Sequence, residues 1–185
     1  MELLTNIKQL FSDDYLTDIT FQLDNQQLIS SYRNILSIRC IYFNQLFEEY
    51  PSNMKEPIRI KNISYETFNQ ILYFIYTDTI ESTLTFEIYL ELMRKADEFF
   101  LSTIYPIAFN ILKNLINKSN VLKIFMQSGL FLLSLNDNEQ ENILLHDVVN
   151  LCIEFIQKNR RDVYLYDHIQ ELTKEMLLKL IELAL

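Results

Sequence analysis

The chain contains few side chains of the kind that perform covalent chemistry, and their spacing does not build a catalytic or metal-binding set. His146 and Asp147 are of the types found in hydrolytic triads, but adjacent residues of a helix point about 100° apart and do not face each other. His168 and the two cysteines, Cys40 and Cys152, lack the spacing of zinc ligands. A single glycine leaves no glycine-rich phosphate loop. We therefore expect no enzymatic activity, no metal and no cofactor.

The charge of the chain argues against a nucleic-acid partner. The formal net charge is −9 at pH 7, whereas affinity for nucleic acid comes chiefly from Lys and Arg side chains that displace counterions. The nearest approach to a basic cluster, Arg160-Arg161, is typical of a solvated helix end. The acidic pairs Asp13-Asp14 and Glu48-Glu49 are likewise interpreted as solvated surface.

The sequence contains no candidate secretory or membrane-spanning segment. The start MELLTNIKQLF has an acidic residue at its second position and polar breaks before any long apolar stretch. No apolar run approaches the roughly 18 to 20 residues that span a bilayer. The two cysteines lie far apart, so we expect buried thiols and no disulfide. The expected setting is the cytoplasm or the nucleus, without membrane contact.

The first element that must be positioned is a short amphipathic helix at the N-terminus. Its apolar residues Leu3, Ile7, Leu10 and Phe11 recur at helical spacing. A helix of about three turns is marginal alone and has to bury this stripe. We expect the stripe to pack against the partner subunit of a two-fold dimer, and the alternative is docking on the chain's own core.

A β-hairpin is predicted to follow this helix. Ile19, Phe21 and Leu23 alternate with polar residues, and Asp24-Asn25 supplies turn chemistry before Leu28-Ile29.

The next elements are predicted to be a single helix over 34–49, an exposed loop over 50–57 and a short strand over 58–60. The helix is inferred from the spacing of its apolar residues, which are Ile35, Leu36, Ile38, Tyr42, Phe43, Leu46 and Phe47. Prolines bound the loop.

The remaining sequence is predicted to be helical. Ser64 and Thr85 are candidate N-caps, for helices that bury Phe68, Ile71, Leu72 and Ile75 and then Ile88, Leu92 and Phe99. Pro106 suits the first turn of a further helix. Beyond Asn117 the pattern stays helical, interrupted by a predicted loop over 136–142, and the last helix carries Leu172, Met176, Leu180 and Ile181.

These elements predict a mostly helical α+β fold in which an α/β domain, residues 1–116, precedes an all-α extension, residues 117–185. Four blocks carry a family resemblance: DITFQL at 18–23, YRNILSIRCIYF at 32–43, FIYT at 74–77 and ADEF at 96–99. Together they resemble the BTB/POZ family, and the C-terminal part is similar to the BACK extension of ubiquitin-ligase adaptors. The resemblance implies a small sheet flanked by helices and a dimer built on the N-terminal helix.

Three features depart from the family pattern. Tyr32 stands where members usually have histidine, Asp78 stands where a small residue commonly follows FIYT, and the hairpin turn is one residue longer than usual. No departure removes a predicted core position.

The resemblance also implies two sites. Cullin-binding members carry a hydrophobic-x-Glu motif in the loop after the first core helix, which Met54 and Glu56 match here, with Phe47 and Tyr50 as neighbouring contacts. An alternative is an ordinary loop whose Met54 folds back on the core. Asp18 and Arg33 occupy the positions of an acidic and a basic residue near the dimer's charged pocket. Because a partly buried carboxylate needs a cation, we favour a structural ion pair over ligand recognition.

The function implied is that of a dimeric adaptor that recruits a cullin-RING ubiquitin ligase, with the substrate protein held by a region not in this chain. One alternative is a homotypic assembly domain without cullin binding, for example in a transcription regulator. Another is a decoy that occupies the cullin and delivers no substrate. Which substrate such an adaptor would serve does not follow from the sequence.

Overall fold

The computed structural model of the chain describes residues 2–13, 15–52, 56–134 and 139–159, together with Lys174 and Leu178. The elements in chain order are α1 Glu2–Ser12, β1 Ile19–Gln22, β2 Leu28–Ser31, α2 Arg33–Arg39, α3 Ile41–Glu49, β3 Ile58–Arg59, α4 Tyr65–Thr77, α5 Phe86–Lys95, α6 Ile104–Leu115, α7 Val121–Ser134 and α8 Glu139–Lys158. The predicted mostly helical α+β fold is confirmed. The chain divides into two compact units, Met1–Ala108 and Phe109–Leu185, and the division falls inside α6.

The first unit contains a three-stranded sheet of order β2-β1-β3. The predicted hairpin is confirmed: β1 and β2 are antiparallel with Phe21 opposite Ile29, and β3 joins β1 in parallel with Ile58 opposite Phe21. The hairpin loop closes with a hydrogen bond from the Leu23 amide to the Gln27 carbonyl (2.9 Å). Inside it Gln26 has φ 65°, a conformation that glycine adopts at lower cost.

Four phenylalanines form the centre of the first unit. Phe21 of β1, Phe43 of α3, Phe68 of α4 and Phe99 are each at most 1% exposed. Their neighbouring ring centroids lie 5.3 to 6.3 Å apart. Each such side chain contributes roughly 1.5 to 3 kcal/mol through its removal from water. The aromatic cluster therefore fixes the sheet against the helices that follow it.

The prediction of one helix over 34–49 is wrong, because the chain breaks at Cys40 into α2 and α3. Cys40 adopts extended φ and ψ of −141° and 120° and serves as the C-cap of α2 and the N-cap of α3. Its buried thiol donates to the Phe99 carbonyl (3.3 Å). The break lets Leu36 and Phe43 bury completely, whereas Ile38, expected on the inner face, is 84% exposed.

The predicted cap and inner face of α4 are confirmed. The Ser64 hydroxyl oxygen accepts from the Thr67 amide (3.2 Å), and both hydroxyls donate to a carboxylate oxygen of Glu91 on α5 (2.5 Å each). All four predicted inner residues of α4 are buried. Thr85 does precede α5, but its side chain makes no capping hydrogen bond.

Phe99 is buried as predicted but lies outside α5. The helix ends at Lys95, and the chain turns through Ala96 and Phe100, where the Leu101 amide donates to the Ala96 carbonyl (2.7 Å) and Phe100 has φ 55°. This turn delivers the Phe99 ring to the aromatic cluster. Pro106 lies in the first turn of α6, as predicted.

The described elements of the second unit are all helices, which is compatible with a BACK-like extension. Helices α7 and α8 pack against each other, and Cys152 of α8 is fully buried with a free thiol. Burial raises the pKa of the Cys152 thiol to about 12. The predicted loop over 136–142 is too long, because α8 already begins at Glu139. Arg160-Arg161, His168 and the predicted last helix, apart from Lys174 and Leu178, lie outside the described residues.

Candidate functional site

The N-terminal helix α1 contacts α4 of its own unit. The Phe11 ring meets Tyr73 and Tyr76 edge-on, with centroids 5.3 and 5.4 Å apart. Ile7 is half-buried and Leu10 is 38% exposed, while the side chain of Leu3 lies outside the described ones. Phe11 thus packs on the core of its own chain. The dimer contact of the stripe stays a prediction, and Leu10 is the described residue of the stripe most exposed to a partner subunit.

Tyr32, which stands where members of the resembled family usually have histidine, anchors the segment that follows α1. Its hydroxyl donates to the carbonyls of Tyr15 (2.5 Å) and Asp13 (3.3 Å). The backbone amide of Tyr32 in turn donates to the Tyr76 hydroxyl (3.2 Å). Burial raises the pKa of Tyr76, and hydrogen bonds from Ser31 and Tyr32 partly oppose that rise. The Tyr76 hydroxyl therefore stays protonated. It accepts the hydrogen bond of the Tyr32 amide, while the Tyr76 ring contacts Phe11 of α1.

Asp18 and Arg33 meet, but through the backbone of Arg33. The Asp18 carboxylate accepts from the Arg33 amide (2.6 Å), and no salt bridge joins the two side chains, both of which the structure describes. The physical reason is that α2 begins at Arg33, so this amide has no acceptor within the helix. Asp18 is exposed. The predicted charge pair between side chains is therefore replaced by a capping contact.

The Arg33 guanidinium turns instead to the end of α3. Its Nη1 donates to the Tyr50 carbonyl (2.5 Å), and its Cζ lies 4.4 Å from the centroid of the Phe47 ring. Arg33 Nε is buried and has no hydrogen-bond partner among the described residues. A guanidinium suits this position because its planar face stacks on an aromatic ring while its edge donates.

Phe47 contacts two further aromatic rings besides the Arg33 guanidinium. It is stacked on Phe21 with 6.5 Å between centroids and an interplanar angle of 21°, and it also contacts Phe43 at 5.9 Å. It remains half-buried. Asp18, Arg33, Phe47 and Tyr50, predicted as members of two separate sites, therefore form one cluster, which we call the Arg33 corner.

The loop predicted to bind a cullin starts from this corner. Tyr50 is the C-cap of α3, and its amide donates to the Leu46 carbonyl (3.2 Å). Glu56 is exposed just before Pro57, at the other end of the loop. Met54 lies outside the described residues, so its predicted role as an apolar anchor stays a prediction.

A second arginine contact was missed by sequence reasoning. Arg39, the last residue of α2, donates through Nε to the Ile75 carbonyl and through Nη2 to the Asp78 carboxylate (2.6 Å). Asp78 caps the C-terminus of α4 with φ 55°. The available signal was the replacement of a small residue by Asp78 after FIYT.

Two classes of site find no support in the part of the chain that the structure describes. No group of three or more His, Cys, Asp or Glu side chains there is placed to hold a metal ion. None of the described helices combines the length and apolar character needed to cross a membrane.

Comparison with known proteins places these features in a family. The BTB/POZ domain family matches residues 7–115. A curated relative, Kelch repeat and BTB domain-containing protein 8 of Xenopus tropicalis, is 27% identical over 82 residues, which are 44% of this chain and 14% of the relative. The chain thus spans a small part of that relative's length.

Among solved structures, the BTB domain of zebrafish PATZ1 is similar, with a TM-score of 0.48 and 22% identity, covering 61% of this chain and 90% of that domain. The family match spans more than half of the present chain. Membership implies protein–protein interaction and dimerisation. We conclude that this chain belongs to the BTB/POZ domain family.

Proposed function

We propose that the chain is a dimeric adaptor that recruits a cullin-RING ubiquitin ligase through the loop following α3. The observation that carries the proposal is the Arg33 corner, in which one guanidinium holds the Tyr50 carbonyl at the point where this loop begins. The proposal assigns the chain no catalysis and a cytoplasmic or nuclear setting.

The corner supports recruitment because it gives the loop a rigid base. Arg33 is stacked on Phe47, and Phe47 is stacked on the buried Phe21. A partner that binds a loop with a fixed end has fewer residues to order, so less of the interaction free energy is lost on binding. The exposed Glu56 carboxylate offers a polar contact beside the apolar Met54 expected from the sequence.

The name of the relative is also in accord with this role, since that protein combines a BTB domain with Kelch repeats. The proposal extends to the second unit, whose described helices are compatible with the BACK-like extension of such adaptors.

Calorimetric titration of the full chain with a purified cullin N-terminal domain tests recruitment. Interface free energy concentrates in a few desolvated anchors, so Met54→Ala should weaken binding by about 5-fold to 150-fold. Glu56→Ala should weaken it as well, without changing the melting temperature. Glu154→Ala, which removes an exposed glutamate from α8, is the matched control. Absence of binding by the wild type, or equal binding by the Met54/Glu56 double variant, would contradict the assignment.

Light scattering tests the dimer. We expect twice the 22.2 kDa mass of the monomer, and Leu10→Asp should shift the protein toward the monomer because it places a charge on the exposed apolar side chain of α1. A wild-type chain that stays monomeric at micromolar concentration would end the dimer proposal.

A second candidate is a homotypic assembly domain that does not bind a cullin. It is favoured by the packing of Phe47, since this half-buried ring already contacts Arg33 and Phe21 and only part of its surface is open to a partner. A dimer that shows no heat with the cullin domain would support this candidate.

A further inference from the structure

A polar pocket lies beside the sheet of the first unit, and it shares no residue with the loop over 50–57 that precedes β3. Its volume is about 410 Å³. The residues that line it are Gln22, Leu23, Asp24, Gln26, Arg59 and Lys61. They come from the end of β1, from the hairpin loop, and from β3 with the residues that follow it.

The pocket carries two cations in a chain whose net charge is −9. Arg59 and Lys61 are both exposed and, two residues apart in extended chain, are on the same face. No described carboxylate lies within salt-bridge distance of either. The lining also includes one carboxylate, Asp24, whose Oδ2 accepts from the Asn62 amide (2.7 Å), so positive charges outnumber negative ones there by two to one. The pocket thus offers positive charge to an acidic ligand.

An open strand edge borders these cations. β3 is the outermost strand of the described sheet, with β1 on its inner side. The Ile60 amide donates inward to the Gln22 carbonyl (3.0 Å). Because neighbouring residues of a strand direct their amides and carbonyls to opposite edges, those of Arg59 point outward. An extended peptide laid beside β3 would therefore meet backbone hydrogen-bonding groups and a guanidinium at the same residue.

Both turns beside the pocket contain a residue in the left-handed conformation, which is costly for glutamine and better tolerated by asparagine. Gln26 has φ 65° and Asn62 has φ 58°. The first is fixed by a hydrogen bond from its amide to the Leu23 carbonyl (2.9 Å), and the second by its bond to Asp24. Left-handed residues of this kind occur where the surrounding structure determines them and cluster at ligand-binding segments. The walls are therefore preformed.

We propose that this pocket binds an extended acidic segment of a partner protein, which adds to the free edge of β3 and directs its carboxylates to Arg59 and Lys61. Strand addition supplies the backbone hydrogen bonds and the cations supply selectivity for acidic side chains. The site shares no residue with the Arg33 corner, so a failure of cullin recruitment would not contradict this proposal, and a failure of peptide binding would not contradict cullin recruitment.

Fluorescence anisotropy on the full chain provides the test, with a fluorescein-labelled Val-Glu-Val-Glu-Val peptide as the probe. The glutamine analogue should bind at least about 10-fold more weakly, because it lacks the charge that pairs with the cations. An analogue methylated on alternate backbone nitrogens keeps the charge but loses strand hydrogen bonds, and it should also bind about 10-fold more weakly.

Variants of the chain locate the contact. Arg59→Gln should weaken probe binding about 10-fold and Lys61→Gln about 3-fold, whereas Arg59→Lys, which retains the charge, should stay between the wild type and Arg59→Gln. Lys123→Gln, which removes an exposed lysine of α7, is the matched control and should leave binding unchanged. Thermal melts verify that each variant is folded.

Three results would overturn the proposal. The first is no saturable binding of the probe at millimolar chain. The second is equal binding of the methylated analogue or an equal effect of Lys123→Gln, which would reduce the contact to nonspecific charge attraction. The third is tighter binding of a labelled thymidine oligonucleotide with the same dependence on Arg59, which would make the pocket a nucleic-acid site.

Discussion

Helix α2 carries an arginine at each end, and the two ends use the same chemistry in different surroundings. Arg33 begins the helix and donates to the Tyr50 carbonyl at the C-cap of α3. Arg39 ends the helix and donates to the Ile75 carbonyl in the last turn of α4. In both places a guanidinium satisfies a carbonyl near the end of a helix, where carbonyls lack intrahelical donors.

The two ends differ in what else the guanidinium touches. Arg33 is stacked on an aromatic ring, and its Nε is buried. Arg39 pairs with a carboxylate, but the side chains of Arg39 and Asp78 are 38% and 73% exposed. Exposed ion pairs are screened by water and salt, whereas contacts away from water are not. We therefore expect the Arg33 corner to stabilise the fold more than the contact between Arg39 and Asp78 does, although the side chains of the corner form no ion pair.

The largest effect is expected from Arg33→Ala. The variant loses a charged hydrogen bond and a cation–π contact, which together should lower the free energy of unfolding by about 2 to 4 kcal/mol. Urea denaturation measures the change. Arg33→Lys is the control: it keeps the charge but not the planar stack, so it should recover less than half of the loss. If Arg33→Lys recovered the full free energy of unfolding, charge alone would account for the effect, and the expected advantage of the aromatic contact at Arg33 would be contradicted.

Asp18→Ala should have the next largest effect. It removes the acceptor of the Arg33 amide at the start of α2 and should cost about 1 to 2 kcal/mol in unfolding free energy. Asp18→Asn keeps an oxygen acceptor and should cost less than half as much. If asparagine destabilises as strongly as alanine, the carboxylate charge is needed and the originally predicted ion pair regains support. Thermal melts at low and high salt measure both variants.

Arg39→Ala is expected to cost about 1 kcal/mol, because it loses the hydrogen bond to the Ile75 carbonyl together with an ion pair to Asp78 that is exposed and therefore weak. A double-mutant cycle with Asp78→Ala isolates the pair, and its coupling free energy should fall toward zero in 1 M salt. A loss as large as that of Arg33→Ala would remove the contrast between the two ends of α2.

The smallest effect is predicted for Asp78→Gly, within about 0.5 kcal/mol of the wild type. Glycine adopts the left-handed conformation of this residue without strain, a gain of about 1 kcal/mol, and this offsets the lost ion pair. Asp78→Ala loses the pair without that gain and should be clearly less stable than the glycine variant. Calorimetric melting of the two variants compares them directly, and equal melting temperatures would refute the strain argument.

The sequence by itself determined the elements whose formation depends on nearby residues. Alternation in β1, the apolar face of α4 and the Ser64 cap all follow from spacing and from hydrogen bonds that span a few positions. The same local rules led to the predicted burial of Phe21 and Phe68. They are reliable here because a slipped register would expose these side chains to water.

Only the tertiary structure decided the break at Cys40, the position of Phe99 after α5 and the target of the Arg33 guanidinium. None of these has a local signal: the break contains neither glycine nor proline, and its thiol is satisfied by a carbonyl 59 residues away in the chain. A long flexible arginine can reach several acceptors, and the one it meets depends on which helix end packing brings within about 3 Å. Sequence therefore selected the residues of the Arg33 corner, and long-range packing chose the atoms that they bind.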